Sequence, residues 1–316
     1  MQKPKNENFR YLYGPVPSRR LGLSLGIDII PQKRCTFDCL YCQVGRTPKK
    51  TIKRFDYVNI GTLKAELAAI AKKDYKINFV TISGSGEPTL HNSLDRIIKA
   101  VKIVMGKKTP ICVITNGSLL YRRDVREELM SASVVMPSLD GATSKTFEKI
   151  NAPYKSLDYF RIIDGLVRFR QEFPGKIWLE IMLMEGINDS VSEAHAFNEL
   201  IDKINPDRVY VNLPIRPAAR RIRIPNDEVI AAFMNVLGKR AKLVRNDITD
   251  IIACTADDYR DKITQYLKRR PASISDLLKV FNISENDLTV LLDKMEQAGV
   301  IIRKRSQQKE YFSYND

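Results

Sequence analysis

Over its first 255 residues the sequence alternates short apolar segments with amphipathic segments of helical length. The apolar segments are LSLGIDIIP, INFVTISGSGEP, PICVITNGS, VVMPSLDG, KIWLEIMLMEGIND and RVYVNLPIRP, with helices predicted near residues 62–73, 94–105, 123–131, 157–173 and 192–204. This alternation is typical of a parallel βα architecture. Because a complete βα barrel has eight strands, six units predict an α/β fold built as a partial (β/α)6 TIM-like barrel.

The character of the sequence changes near Cys254–Asp258. The segment DDYRDKITQYLKRRP predicts a helix that ends at a proline, and Ser273 followed by Asp276 is a variant of the capping box that begins a second helix. A third helix and the alternating segment VIIRKRSQQKEYFSY complete the pattern. The sequence therefore predicts a barrel domain over residues 1–255 and a winged-helix domain over residues 256–316.

Three cysteines, Cys35, Cys39 and Cys42, are crowded into the segment RCTFDCLYCQVG, directly after the first predicted strand. A structural zinc site normally closes with four ligands, and a disulfide uses cysteines in pairs. A cube of four irons held by three thiolates leaves one iron open to another ligand, and thiolates suit iron–sulfur clusters. A zinc site completed by a distant residue is the alternative, with His91 and His195 as the only histidines.

The composition predicts a protein of a reducing cytosol with no membrane association. No segment approaches the roughly 20 apolar residues of a membrane span, and the start MQKPKNENFRYLYG lacks the apolar region of a secretory signal. Five cysteines, three of them clustered, do not form the pattern of a secreted disulfide framework. The other two, Cys112 and Cys254, are expected to be small buried residues.

The net charge of +15 is concentrated in the barrel region. Residues 1–55 contain 12 Lys and Arg against 3 Asp and Glu, whereas residues 256–316 contain 11 against 10. Such a positive field raises the local concentration of anionic ligands, and nucleic acid is the obvious candidate. The charge therefore favours an anionic substrate, although it could also serve solubility or neutralise an acidic partner.

Polar residues follow several predicted strands, at the carboxyl ends where parallel βα folds carry their chemistry. After the second strand comes SGSGEPTL, in which glycines would allow a ligand to approach the backbone closely and Glu87 would lie near it. The residues of interest in this element are Gly84, Ser85, Gly86 and Glu87.

Later strands carry further candidates for ligand contact. Asn116 ends the third strand, and Ser138 and Asp140 share one face of the fourth. Glu180 lies within the fifth strand, where an unpaired carboxylate is costly, and Asn212 is a weaker candidate on the sixth. Turn or capping roles for Asn116 and Asp140, and a structural ion pair for Glu180, are the alternatives.

A basic cluster follows the last predicted strand. The segment PIRPAARRIRIP contains Arg216, Arg220, Arg221 and Arg223. Guanidinium groups bind phosphates and carboxylates in a bidentate manner, so these arginines are predicted to bind substrate at the active-site mouth. The alternative is a solvated loop packed by its prolines. Arg19 and Arg20 precede the first predicted strand, and the sequence does not place them at this mouth.

The cysteine motif, with Tyr41 before its last cysteine, resembles the signature of the radical S-adenosylmethionine (radical SAM) enzymes. The resemblance covers roughly residues 14–250, and SGSGEP is similar to the family's glycine-rich GGEP element, with Ser85 in place of the first glycine. The stretch YGPVPSRRLGLSLGIDIIPQKRCTFDCLYCQVGRT is similar to a subgroup loosely related to the wyosine-base (tRNA) synthetases, in which some members carry a C-terminal winged helix.

This resemblance implies that Cys35, Cys39 and Cys42 hold a [4Fe–4S] cluster whose open iron is chelated by S-adenosylmethionine. One electron from reduced ferredoxin or flavodoxin would cleave S-adenosylmethionine to methionine and a 5′-deoxyadenosyl radical, which abstracts hydrogen from the substrate. The glycine-rich element would receive the methionyl amino group. The residues predicted to bind S-adenosylmethionine are Tyr41, Gly84, Ser85, Gly86, Glu87, Asn116, Ser138, Asp140 and Glu180.

The predicted winged helix leaves a second functional class open, an iron–sulfur redox sensor that reads DNA without catalysis. Its third helix carries Glu285, Asp287, Asp293 and Glu296 against a single Lys294, and an acidic helix does not suit the major groove. A sensor also needs neither an open iron nor a ligand pocket. We therefore expect an enzyme that acts on an anionic substrate, with a tRNA base as one candidate.

Overall fold

The computed structural model of the chain describes residues 9–31, 33–73, 75–244, 259–268, 271–306 and 309–315. Its main feature is an eight-stranded sheet in which the strands follow one another in chain order. Strand β1 (Leu12–Ser18) runs antiparallel to β2 (Gly22–Asp28), and all later strands are parallel to β2. These are β3 (Phe79–Ser83), β4 (Ile111–Thr115), β5 (Val134–Pro137), β6 (Lys176–Met182), β7 (Arg208–Asn212) and β8 (Ala241–Leu243).

Seven helices accompany this sheet among the described residues: α1 (Ile60–Ala71), α2 (Leu94–Met105), α3 (Arg123–Leu129), α4 (Ser144–Asn151), α5 (Tyr159–Glu172), α6 (Val191–Ile204) and α7 (Asp227–Leu237). Polar side chains fix where several of them begin. Asn59, Asp158 and Ser190, for example, accept the first free amides of α1, α5 and α6. None of the helices in the described ranges combines the length and apolar character that a membrane crossing requires.

The six parallel strands predicted from the sequence are confirmed as β2 to β7, but the count of six is too low for the sheet. The prediction missed β1, whose pairing with β2 shifts register between Tyr13 and Val16, around Gly14 and Pro15. It also missed β8, because three residues give no alternation to recognise. The predicted α/β class and the largely parallel sheet are confirmed.

Apolar side chains pack against both faces of the sheet. The larger core packs the helices onto one face and includes Ile82, Leu166 and Phe197, all fully buried. A smaller apolar cluster lies on the other face, where Leu21, Cys112, Trp178 and neighbouring side chains fill the base of the barrel. The expectation that Cys112 is a small buried residue is thereby confirmed, whereas Cys254 lies outside the described residues.

The C-terminal part contains α8 (Tyr259–Leu267), α9 (Ile274–Leu278), α10 (Glu285–Gln297) and a hairpin of β9 (Ile301–Ser306) with β10 (Lys309–Tyr314). The predicted capping box of Ser273 and Asp276 is confirmed. The apolar core of this part also packs on Val16 and Leu23 of the first hairpin. The predicted domain boundary after residue 255 lies outside the described residues.

Candidate active site

The cysteine loop, residues 35–45, follows the carboxyl end of β2 and is held from two sides by backbone hydrogen bonds. The amides of Asp38 and Leu40 donate to carbonyls of the last turn of α4, at 3.0 and 2.9 Å. From the other side, the arginine loop, residues 213–223, donates through two backbone amides. Ala219 N donates to the Cys42 carbonyl at 2.9 Å, and Arg220 N to the Leu40 carbonyl at 3.1 Å. The cysteine loop is therefore fixed by main-chain contacts with distant parts of the barrel.

The three thiols are free and half-buried. Asn116 Nδ2 lies 3.6 Å from Cys35 Sγ, and Asn151 Nδ2 lies 3.3 Å from Cys39 Sγ. Burial, and then the Glu87 carboxylate, raises the pKa of Cys35 to about 12, and burial followed by the charge of Cys35 raises the pKa of Cys39 well above its usual value. A nearby positive charge, such as a metal centre, acts against these rises because it stabilises the negatively charged thiolate.

The donor set is compatible with an iron–sulfur cluster, because thiolates are the usual ligands of such clusters. All ligands of one zinc ion lie within about 2.3 Å of the metal, so their donor atoms must crowd together. In the described part of the chain, no three His, Cys, Asp or Glu side chains are arranged around a single ion in this way. His91, one proposed fourth ligand, accepts the Val58 amide at 3.3 Å through Nε2. The three thiols are the kind of donor that iron–sulfur clusters use, and amide donors to two of their sulfurs are contacts that tune such centres.

Asp140 fastens the cysteine loop through its buried carboxylate. Its Oδ2 accepts the Tyr41 hydroxyl at 2.6 Å and Asn151 Nδ2 at 2.9 Å, while Oδ1 accepts the Met182 amide at 2.9 Å. Burial raises the pKa of Asp140, and these hydrogen bonds act in the opposite direction. Both oxygens are occupied by protein donors, so the geometry favours a structural role. A contact of Tyr41 or Asp140 with S-adenosylmethionine stays a prediction.

The glycine-rich element packs directly against the segment that leads into the cysteine loop. A Cβ atom on Gly86 would lie 1.8 Å from the carbonyl oxygen of Arg34, so a side chain there has no room. Ser85 donates its amide and hydroxyl to the Asp28 carboxylate, at 3.0 and 2.7 Å. The serine that replaces a glycine of the family motif therefore ties this element to the end of β2. Gly84 is tight as well, since its Cβ would lie 3.1 Å from Ile30.

Glu87 is buried and joins the ends of β3 and β4. Its carboxylate accepts the amide and hydroxyl of Thr89 at 3.0 and 2.7 Å, the Thr115 hydroxyl, and the Asn116 amide at 2.7 Å. Its own amide donates to the Arg34 carbonyl at 3.0 Å. Burial raises the pKa of Glu87, and these bonds oppose that rise. The geometry thus favours an organising role, and contact with the ligand's ammonium group stays a prediction.

Asn116 connects β4 with the cysteine loop, because its Nδ2 donates to the Thr36 hydroxyl at 2.7 Å as well as approaching the Cys35 sulfur. Its Oδ1 accepts the Ser118 amide at 3.0 Å. Ser138 is half-buried just after β5, where it forms a backbone bridge with Glu180. Both residues lie at the carboxyl edge of the sheet, and their contact with a ligand stays a prediction.

Glu180 lies inside the barrel, where it forms an ion pair with Arg20. Its Oε1 also accepts Asn212 Nδ2 at 2.8 Å. The structure therefore shows the ion pair that the sequence analysis gave as the alternative to ligand contact. Arg20 reaches this position from the turn between β1 and β2, which the sequence could not indicate because β1 was not predicted.

The arginine loop lies beside the cysteine loop, as its position after a strand end predicts. Its four arginines nevertheless do not form one exposed cluster. Arg216 is buried, Arg220 pairs with Asp38 at 3.5 Å, and Arg223 pairs with Glu185 at 2.7 Å. Arg221 is exposed. Substrate binding by these residues stays a prediction.

A cavity of about 220 Å³ opens inside the barrel below these loops, and we call it the barrel cavity. Its wall includes Gln43 and Val44 of the cysteine loop together with Gly84 and Ser85. It also includes Arg20 from the first hairpin and Tyr266 from α8. The cavity therefore joins the cysteine loop to the C-terminal part of the chain.

Three residues of this site were absent from the sequence predictions. Asp28 ends β2 and receives Ser85, Asn151 ends α4 and faces Cys39, and Thr36 receives Asn116. Asp28 lies within the apolar segment LSLGIDIIP, and a carboxylate inside an apolar strand was a usable signal. Asn151 and Thr36 carry no comparable signal, because their roles depend on loops that meet only in the folded chain.

The profile of the Radical SAM superfamily matches residues 29–197, more than half of the chain. The chain is 34% identical over 315 residues to the UPF0026 protein MJ1312 of Methanocaldococcus jannaschii, covering 96% of this chain and 95% of that protein. It is 34% identical over 296 residues to a Brachyspira hyodysenteriae protein named GTPase Obg. That match covers 92% of this chain but spans only 43% of the relative's length.

More distant similarities include one sequence relative and one solved structure. A Thermotoga maritima protein named probable dual-specificity RNA methyltransferase RlmN is 25% identical over 236 residues, 71% of this chain and 66% of that protein. A crystal structure of a radical SAM methyltransferase from Sphaerobacter thermophilus shares the fold, with a TM-score of 0.54, 19% identity and coverage of 70% of this chain and 66% of that one. The chain is an enzyme that belongs to the radical SAM superfamily, and within it to the proteins named UPF0026.

Proposed function

We propose that Cys35, Cys39 and Cys42 hold a [4Fe–4S] cluster in this enzyme and that S-adenosylmethionine binds at the open iron. When bound, the cluster and S-adenosylmethionine supply, with one electron, a 5′-deoxyadenosyl radical that abstracts a hydrogen atom from the substrate. The observation that carries this proposal is the set of three free thiols on one loop at the carboxyl edge of the sheet. Membership of the superfamily supports it.

The surrounding side chains would hold the thiolates in place. The Asn116 and Asn151 amides are directed at the sulfurs of Cys35 and Cys39, and hydrogen bonds to ligand sulfurs tune such centres. The Asp140 carboxylate accepts a hydrogen bond from Asn151 Nδ2 and so orients this amide toward the Cys39 sulfur. Asp140 is thus a positioning residue in this proposal.

The element after β3 is proposed to bind the methionyl end of S-adenosylmethionine. Gly84 and Gly86 keep the backbone free of side chains, and the buried Glu87 places a carboxylate beside it. The full set proposed for this ligand is Tyr41, Gly84, Ser85, Gly86, Glu87, Asn116, Ser138, Asp140 and Glu180. For Asp140 and Glu180 the contact would be indirect, because protein donors already occupy their carboxylates.

The C-terminal part is proposed to be a winged-helix domain over residues 256–316, following a barrel domain over residues 1–255. Its support is the order of helices and hairpin, with residue Ala272 pairing with Phe312 as a third short strand. This domain is not proposed to read DNA. Arg303 of the predicted wing forms ion pairs with Asp293 and Glu296 of the acidic helix α10, at 2.8 and 2.9 Å, so its charge is engaged within the domain.

The electron is proposed to come from reduced ferredoxin or flavodoxin in the cytoplasm. The substrate is proposed to be anionic, because residues 1–55 carry a large excess of positive charge around the cysteine loop. Arg216, Arg220, Arg221 and Arg223 are the proposed substrate-binding arginines. RNA, and tRNA in particular, is a second candidate substrate, favoured by the charge and by the relatives named as RNA methyltransferases.

Anaerobic reconstitution with iron and sulfide, followed by addition of S-adenosylmethionine and dithionite, tests the reaction. We expect formation of 5′-deoxyadenosine and methionine, with loss of both in Cys35→Ala, Cys39→Ala and Cys42→Ala. Cys112→Ala is the matched control, because this thiol lies at the base of the barrel away from the loop. If the reconstituted protein contains a cluster but forms no 5′-deoxyadenosine, the proposal is contradicted. The redox-sensor alternative would then be favoured.

The RNA candidate is tested by binding of bulk tRNA to the full chain at increasing salt. If RNA is the substrate, affinity should fall steeply with ionic strength, because phosphate contacts release counterions. Arg221→Ala, at an exposed position of the arginine loop, should weaken binding, and Arg123→Ala on the exposed face of α3 serves as the control. If the protein does not bind tRNA even at low salt, RNA is ruled out as the substrate.

A further inference from the structure

Three exposed cations surround the main chain of Cys35. Arg34 precedes Cys35 in the chain, and Lys49 and Lys53 flank Thr51, whose amide donates to the Cys35 carbonyl at 2.9 Å. All three basic side chains are exposed, and none of them forms an ion pair with a residue in the described ranges. Their positive charge is therefore available to a partner from outside the chain.

An exposed aromatic ring lies beside these cations. Phe55 is 48% exposed, and its ring centroid lies 6.1 Å from that of Tyr57. The Arg34 guanidinium lies 5.7 Å from the same Tyr57 centroid, and Lys53 precedes Phe55 by two residues. Aromatic residues and arginine are enriched in protein–protein interfaces, whose rims are polar. We call Arg34, Lys49, Lys53 and Phe55 the Arg34 surface, and its composition is that of a protein interface.

The Arg34 surface is separate from the barrel cavity. Arg54, in the same segment as Phe55, pairs with Asp124 of α3 at 2.9 Å, so this segment lies against the helices that cover the sheet. The cysteine loop lines the cavity with Gln43 and Val44, whereas none of the four residues of the Arg34 surface does so. A molecule on this surface would therefore approach Cys35 from the side of the helices and leave the cavity free.

The position of the Arg34 surface favours an electron donor as its partner. The reaction proposed above needs one electron, and a protein that delivers it must come close to a cluster ligand without blocking the cavity. The hydrogen bond from Thr51 to Cys35 connects the surface with the main chain of such a ligand. The positive charge favours an acidic carrier and steers its encounter. Electron-transfer partners meet through small interfaces, so a few residues suffice.

We infer that the Arg34 surface binds an acidic protein that carries one electron to the cluster. This inference rests on the proposed function, since it assigns the binding site of the electron donor in that reaction. The carrier is oxidised by one electron and the cluster is reduced by one, and no bond forms or breaks in this step. RNA is the competing anionic ligand, but a base bound at this surface would lie outside the cavity.

Stopped-flow reduction of the reconstituted full chain by a purified acidic flavodoxin, itself fully reduced, tests this inference. The second-order rate constant should fall as salt is added, because salt screens exposed charges. The double variant Lys49→Glu, Lys53→Glu should lower this rate constant by about ten-fold, because the charges that steer the encounter are reversed. A wild-type rate constant in this variant, or no reduction of the wild-type protein by flavodoxin, would overturn the inference.

The matched control is Lys107→Glu, Lys108→Glu. These two exposed lysines precede β4, so the same change of charge is made at the amino edge of the sheet, opposite the cysteine loop. The flavodoxin rate constant of this control should equal that of the wild type. An equal loss in both double variants would show that only the net charge matters, and would overturn the assignment of the Arg34 surface.

Photoreduced 5-deazariboflavin, a small neutral reductant, separates this inference from the proposed function. Because it needs no docking surface, it should reduce the wild type and the Lys49→Glu, Lys53→Glu variant at the same rate. A slower reduction of the variant would show that these charges act on the cluster rather than on docking, and would overturn the inference. If S-adenosylmethionine and this reductant give no 5′-deoxyadenosine with the wild-type protein, the proposed function itself is contradicted.

Phe55→Ala should lower the flavodoxin rate constant by about five-fold, because truncation of an aromatic side chain within an interface weakens binding. Its control is Ile103→Ala near the end of α2, where the side chain is 71% exposed. Thermal unfolding of both variants checks that they fold. Binding of bulk tRNA to the Lys49→Glu, Lys53→Glu variant tests the competing ligand. Loss of tRNA binding with an unchanged flavodoxin rate constant would overturn the inference and assign the surface to RNA.

Discussion

The hydroxyl of Tyr41 donates a 2.6 Å hydrogen bond to Oδ2 of Asp140, a residue 99 positions further along the chain. This bond joins the cysteine loop to the end of β5. The same carboxylate oxygen accepts Asn151 Nδ2, which in turn lies 3.3 Å from the sulfur of Cys39. One buried carboxylate therefore sets both the position of the loop and the direction of a donor toward a proposed metal ligand.

Replacement of Tyr41 by Phe should lower the free energy of unfolding by about 1.5–3 kcal/mol, because a hydrogen bond to a buried charged group is lost. It should also speed the loss of iron from the reconstituted protein. Chemical denaturation and iron content over time measure the two effects. Tyr121→Phe is the control, since the ring of Tyr121 stacks on Arg161 without a hydroxyl contact in the described structure. Equal behaviour of both variants would contradict the role given to Tyr41.

Gly86→Ala should destabilise the protein by about 1–3 kcal/mol or more and reduce iron incorporation. The added Cβ would meet the Arg34 carbonyl oxygen at 1.8 Å, and backbone cannot move aside as a flexible side chain can. Gly61→Ala in the first turn of α1 is the matched control, and its Cβ would meet only the Asn59 side chain at 3.2 Å. Thermal unfolding and iron content of the two variants can be compared directly. Normal iron content in Gly86→Ala would refute the close packing of the two loops.

Cys112 should resist alkylation in the native protein. Burial raises its pKa to about 12, with a smaller opposing effect of Arg20, so the thiolate is scarce near neutral pH. Iodoacetamide at a pH of about 8, followed by peptide mass spectrometry, should show little modification at this position until the protein is unfolded in denaturant. Labelling of native Cys112 as fast as the unfolded form would show that the barrel base is open to solvent.

Tyr311→Phe removes the hydroxyl that donates to the Ile215 carbonyl. The free energy of unfolding should therefore fall by about 1 kcal/mol, and the C-terminal part should be held less firmly. Limited proteolysis between the barrel and the C-terminal part should become faster. Tyr314→Phe, whose aromatic ring can still stack on Lys268, should leave the proteolysis rate unchanged. If both variants are cut at the wild-type rate, the Tyr311 contact does not hold the domain in place.

The sequence was most informative where a motif and a strand end coincide. The cysteine spacing, the glycine-rich element and the alternation of strands placed the site at the carboxyl edge of a parallel sheet, and each of these signals is local. Ser85 illustrates the limit of that information. The sequence showed that it departs from the family motif, but only the fold shows that Asp28 receives both its amide and its hydroxyl.

Residues that approach the site from distant segments could not be predicted. Arg20 precedes β2 in the chain and yet reaches Glu180 inside the barrel, because the unpredicted strand β1 turns the hairpin inward. Asn151 faces Cys39 from the end of α4, a helix that was not predicted from the sequence. The four arginines after β7 looked equivalent in sequence, whereas burial and ion pairing divide them in the fold.

The arginine loop grips the cysteine loop through the amides of Ala219 and Arg220, which donate to the carbonyls of Cys42 and Leu40. Every residue except proline offers the same amide, whatever its side chain. Substitutions along this segment can therefore remodel the rim of the pocket while leaving the anchorage untouched. A shared chemical centre can in this way be fitted to different molecules among relatives, without rebuilding the scaffold that carries it.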